Sequence, residues 1–143
     1  MANRYGEAAL MAARMETFGK AITPAERWAE AVKKLYPTSP IAQRKTAPKS
    51  AFLGLCESGL VKGIPPGRYG ALLDHKNYAI AAAALLAAGT HRTVSTLWTE
   101  ITHGDPAVEH QSQIDIVLAL WKNGLIQTPP TKPLATPPAL AAS

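Results

Sequence analysis

The sequence predicts an all-α protein: two tandem three-helix units packed as one domain with approximate two-fold symmetry, then a proline-rich C-terminal tail. Three observations carry that expectation. No stretch shows sustained two-residue alternation, whereas apolar residues recur at helical spacing. Glycine and proline fall at boundaries between those periodic stretches. Most telling, part of the chain is written twice. Residues 51–61 align without a gap on residues 116–126, with Leu53/Leu118, Leu55/Leu120, Gly59/Gly124 and Leu60/Leu125 identical. A double proline follows each copy, Pro65-Pro66 and Pro129-Pro130. Upstream, Trp28 answers Trp98, and Arg4-Tyr5 answers Asn77-Tyr78. One such match is chance; three in the same order indicate duplication.

The elements follow in order. Residues 4–19 carry Tyr5, Ala8, Ala12 and Met15 on one helical face. Thr23, Pro24 and Glu26 form a capping box with proline at the first helical position, so a second helix starts at Pro24. Its apolar stripe is Trp28, Val32 and Leu35, and Pro37 ends it. A third helix is expected over 48–58, closed by Gly59 as the left-handed residue past its end. The second unit repeats the order over 76–88, 94–103 and 113–123. Thr93 caps the middle helix, Ser112 with Asp115 starts the last, and Gly104 and Gly124 close them. Short extended arms are expected over 60–64 and 125–128. The division is then 1–66 for the first unit, 67–75 for a linker, 76–126 for the second unit and 127–143 for the tail.

Composition bounds the function classes. In 143 residues, 47% are apolar and 17% charged, which suits a globular chain with a real core. A single cysteine, Cys56, excludes an internal disulfide framework or a cysteine-built zinc cage. The longest apolar run, residues 79–88, is too short to span a bilayer. The amino end lacks the apolar stretch of a secretion signal, so a cytoplasmic protein without a membrane partner is expected.

The segment from Tyr36 through Pro40, the run from Phe52 to Pro65 and the closing run from Gln113 to Leu125 resemble a family of small bacterial proteins catalogued as a domain of unknown function. The resemblance covers roughly residues 5–126. It implies one compact unit built from both halves, and it makes an accessory or mobile-element protein a fitting role. It brings no catalytic residue, substrate or cofactor with it.

Charge places the candidate site. The formal net charge is +5, and the whole surplus sits before residue 67. Between Glu30 and Glu57 the chain carries Lys33, Lys34, Arg44, Lys45 and Lys49 and no acid. A basic loop leading into a helix start suits phosphate, and Tyr36 at its edge offers a ring for stacking on a base. Against this, the loop is too long for a helix-turn-helix turn, and the helix after it reads as core. A solvated basic face is the plainer reading of such a cluster.

Glu100, His103 and His110 form a weaker constellation, an i, i+3 pair with a further donor, whose spacing matches no zinc motif. Trp28 and Trp98 read as equivalent core pillars. Trp121 stands where Cys56 stands in the other copy, so one buried site is expected to hold a large residue in one unit and a small one in the other. Cys56 reads as an inert buried thiol, Ser50 as a first-turn residue, and Gly63 to Gly67 as a turn rather than a phosphate cradle.

These readings converge on a non-enzymatic module that binds an anionic partner, nucleic acid first, and needs no cofactor. The rival is a protein-interaction or homo-oligomeric assembly module using the tail and leftover apolar faces. A small metal-dependent hydrolase at Glu100, His103 and His110 comes third.

Overall fold

The structure, a computed structural model, describes residues 4–15, 22–89, 93–105, 110 and 112–127. Among these, seven helical segments and one isolated bridge make up the regular structure, and no strand forms. None of the helices is long and apolar enough to cross a membrane. The proline-rich tail, residues 128–143, lies outside the described residues.

Helix α1 (Tyr5–Arg14) buries Tyr5, Ala8, Ala9 and Ala12, a face of small residues that lets it lie close to a neighbour. It ends at Arg14, with Met15 extended; residues 16–19, expected in the same helix, lie outside the described residues. Arg27 also holds that end, donating to the Ala12 carbonyl at 3.1 Å, which accepts from the Met15 N–H as well, and to the Met15 carbonyl at 3.2 Å. Helix α2 (Pro24–Leu35) starts with the expected capping box: the Thr23 hydroxyl accepts from the Glu26 N–H at 3.1 Å, and Glu26 accepts from the Thr23 N–H at 2.9 Å. Trp28, Ala31 and Val32 point inward.

The loop after α2 contains a turn of helix that periodicity did not suggest, α3 (Pro40–Gln43), capped by the Ser39 hydroxyl. Four residues are too few for a period to register. Helix α4 (Thr46–Glu57) begins at Thr46 instead of residue 48 and is buried along almost its whole length. Helix α5 (Leu73–Ala88) takes in the last residues expected in the linker, because the Ser50 hydroxyl accepts from the Leu72 N–H and anchors its start. Helices α6 (Val94–Thr102) and α7 (Gln113–Lys122) complete the order.

The core sits where α4 and α7 meet, with Trp28, Phe52, Leu55, Leu97, Ile116 and Leu120 fully buried. Helix α1 packs on α7 and α5 on α4, so the first helix of each half lies against the last helix of the other. Gly54 makes the α4–α5 crossing possible, since a Cβ there would stand 2.7 Å from the Lys76 backbone Cα. Gly59 and Gly124 adopt φ of +73° and +72°, the left-handed turn that sends each chain end into its arm. The arms meet. Val61 and Ile126 form an antiparallel bridge, with Lys62 N–H donating to Leu125 O at 2.9 Å and Gln127 N–H to Leu60 O at 2.8 Å.

Three expectations fail on packing. Trp28 is 1% exposed, but Trp98 is only half-buried, because its helix lies at the edge of the bundle beside α5 and α7. Cys56 is buried while Trp121 is 37% exposed, so the two equivalent positions do not share one kind of buried site. The Ser112 side chain makes no cap; Ser112 is left-handed at φ +74°, and the His110 ring nitrogen Nε2 accepts from the Ile114 N–H at 3.2 Å in its place.

Candidate functional site

The basic stretch lies along the route from the end of α2 through α3 to the start of α4. Lys33 and Lys34 occupy the last turn of α2, where cations complement the helix dipole, and both are exposed. Lys33 approaches Glu30 at 3.9 Å across two exposed side chains, a contact worth little. Arg44 ends α3, Lys45 is the N-cap of α4 and Lys49 stands in its first turn, all exposed. Among the described residues, Lys34, Arg44, Lys45 and Lys49 make no ion pair. The Lys45 side chain does not cap α4, and of the first three helical positions only Thr46 and Ala47 carry a backbone N–H, because Pro48 has none.

Tyr36 is held differently from the lysines. It is half-buried, its ring packs on Tyr5 with centroids 5.1 Å apart, and its hydroxyl accepts from the Arg4 N–H at 2.8 Å. Tyr5 in turn donates to Ala42 O at 2.8 Å. The two tyrosines tie α1 to the loop and give the basic route a fixed floor. Gln43 adds a third tie, donating to Tyr36 O at 2.7 Å.

Helix α4 is too deeply buried to enter a nucleic-acid groove: Ala47, Pro48 and every residue from Ser50 to Cys56 lie inside. Only its start and the loop before it are available.

The nucleophile-bearing side chains of α4 are committed to the core. Ser50 is 2% exposed and holds the Leu72 N–H at 3.1 Å. Burial pushes the Cys56 thiol well above its ordinary range, keeping it protonated. Glu57, a residue that sequence reasoning passed over, is the centre of a nearly buried charge cluster. Its carboxylate accepts from Lys76 Nζ at 2.8 Å and from the Tyr69 and Ala71 N–H groups at 2.9 and 3.0 Å. Burial opposes its charge, but these hydrogen bonds and the Lys76 ammonium prevail and pull its pKa down to about 2. Glu57 therefore staples the segment between the halves onto α4. Nothing in its sequence neighbourhood signals this, since Lys76 and the two N–H groups are distant along the chain.

The Glu100, His103 and His110 constellation is dispersed in use. Glu100 and His103 are exposed at the end of α6. His110 packs edge-on against Trp98 at 5.0 Å and uses Nε2 to hold α7; burial lowers its pKa, with Asp115 acting the other way to a smaller extent. Among the described residues, no group of three or more His, Cys, Asp or Glu is placed to hold a metal ion.

The family model described as Family of unknown function (DUF6979) matches residues 2–127, and the chain belongs to that family. The match takes in both halves and stops where the tail begins. No curated protein and no solved structure matches the chain.

Proposed function

We propose that this member of a family of unknown function is a non-enzymatic module that binds an anionic partner, nucleic acid first, through the basic route of its first half. The observation that carries the reading is the row Lys33, Lys34, Arg44, Lys45 and Lys49. All five are exposed, the row makes a single long ion pair among the described residues, and no acid stands between Glu30 and Glu57. The Thr46 and Ala47 N–H groups, which the Lys45 side chain does not cap, add two donors for a phosphate, while Pro48 after them has none. Contacts of this kind position a backbone without reading sequence. A binding role also suits the core, where Ser50 and Cys56 both serve packing and neither is placed as a nucleophile.

We also read the two halves as copies of one unit about a pseudo-two-fold axis. Equivalent contacts support it. The bonds from Lys62 to Leu125 and from Gln127 to Leu60 exchange when residues are shifted by the repeat offset. Tyr5 stacks on Trp28 as Tyr78 meets Trp98. Only the first copy carries the basic loop, so duplication supplied a scaffold and one half gained the charge.

Fluorescence anisotropy with labelled single- and double-stranded oligonucleotides tests the function. Binding is expected at low salt, with Arg44→Ala plus Lys45→Ala weakening it across all sequences. Each lost phosphate contact lowers the salt slope of log K by roughly 0.7 to 0.9. Lys122→Ala in the neutral half should have little effect. No binding to either form at low salt defeats the proposal.

A further inference from the structure

The last described residues of the chain run beside an apolar groove of about 590 Å³. Its floor is one stripe of α5, namely Ile80, Ala83, Ala84 and Ala87, and its walls include Trp121 and Ile126. Among the described residues, no charged side chain lines it. From Tyr78 to Ala88, helix α5 is apolar on every face, a pattern that ordinarily goes with cover on all sides. Yet Ala84 and Ala87 are exposed and Trp121 is 37% exposed. Gln127, the last residue before the tail, itself lines the groove, so the chain leaves the described fold at the groove wall.

We propose that residues 128–143 of the same chain dock in this groove, laying proline and leucine side chains on Trp121 and the alanine floor. The chemistry of the segment fits. It holds Pro129, Pro130, Pro133, Pro137 and Pro138 with Leu134 and Leu140, and its one charged side chain is Lys132. Proline-rich segments favour an extended helix with little entropy left to lose, and their rings pack on flat aromatic faces. Alanines on the floor let a backbone approach closely. Reach is ample: seven residues beyond Gln127 extend about 20 Å at ~3.1 Å each, against about 10 Å along α5 from Ile80 to Ala87. A tether that starts at the groove also gives the segment a local concentration in the millimolar range, which favours the chain's own tail over that of a second copy.

The test uses the full chain. Ala135→Cys places a thiol in mid-tail for a nitroxide label, while the buried, protonated Cys56 stays unlabelled. The indole N–H cross-peak that disappears in Trp121→Phe is followed in the spectrum of the labelled protein. Docking predicts strong broadening of that peak and its recovery in Ala84→Glu or Ala87→Glu, which put a charge on the exposed floor and leave the tether intact. Both positions are exposed, so the rest of the spectrum should keep its dispersion. Equal broadening with and without the glutamate means that the tail only passes nearby, and overturns the proposal. Broadening of an isotope-labelled chain by a spin-labelled one in a mixed sample assigns the groove to a second copy, and equally overturns it.

Discussion

At the scale of single residues, Glu57 has the largest reach. Its carboxylate gathers a lysine and two backbone N–H groups from the segment that joins the halves, and its side chain is only 10% exposed. Glu57→Gln keeps the shape and removes the charge, so a loss of about 1.5 to 3 kcal/mol is expected in urea unfolding near neutral pH. The pH dependence has a definite sign. A carboxylate whose pKa falls from 4.5 to about 2 on folding stabilises the native state at pH values above 4.5, and that contribution drains away as pH falls towards 2. The gap between wild type and Glu57→Gln should therefore narrow over that window. His110 behaves in the opposite chemical sense with the same direction in pH. Burial lowers its pKa below 6.5, so the unfolded chain takes up a proton first and stability falls as pH drops through 6.5. Titration of unfolding midpoints for wild type and His110→Gln should show that component only in the wild type.

At the scale of elements, the caps at Thr23 and Thr93 were legible, while the one expected at Ser112 does not form and the short turn α3 left no period to read. Thr23, Pro24 and Glu26 announce the start of α2 because each satisfies a specific backbone need within four residues. The repeat of Leu53 and Leu55 in Leu118 and Leu120 likewise located the two core helices, and all four are buried. Leu118→Ala is thus expected to cost about 2 to 5 kcal/mol, read from the melting midpoint. An unchanged midpoint would place that face of α7 at the surface. Gly54 offers a sharper test of the α4–α5 crossing. Gly54→Ala improves helix propensity by about 1 kcal/mol, but it drives a Cβ to 2.7 Å from the Lys76 backbone, so net destabilisation is expected. A stabilised variant would mean that the crossing relaxes freely. The start of α5 shows why the linker boundary shifted: its anchor is Ser50, on another helix, and local composition carries no trace of that bond.

At the scale of the whole molecule, the halves are interleaved. Helix α1 belongs to the first half and packs on α7; α5 belongs to the second and packs on α4. Neither half keeps its core without the other. Heat or denaturant should therefore unfold both in one step, with the tryptophan fluorescence and the far-ultraviolet circular dichroism of the wild type following coincident curves. Two separated transitions would show that the units fold independently. The paired arms close this arrangement, and Gln127→Pro, which deletes the N–H donated to Leu60 O, is expected to cost about 1 to 3 kcal/mol of the same single transition.

The helical class, the positions of most helices and the core leucines were readable in the chain alone, because periodicity, caps and glycine at φ > 0 are local demands on backbone geometry. The charge asymmetry was equally plain, since counting lysines needs no fold. Whether Trp121 and Trp98 lie inside, where Glu57 finds its partners and which stripe of α5 stays uncovered were decided by tertiary structure alone. The physical reason is common to all three. Burial and pairing depend on which distant element arrives at a face, and residues such as Glu57 and Lys76, 19 positions apart, meet only once α4 and α5 have crossed at Gly54.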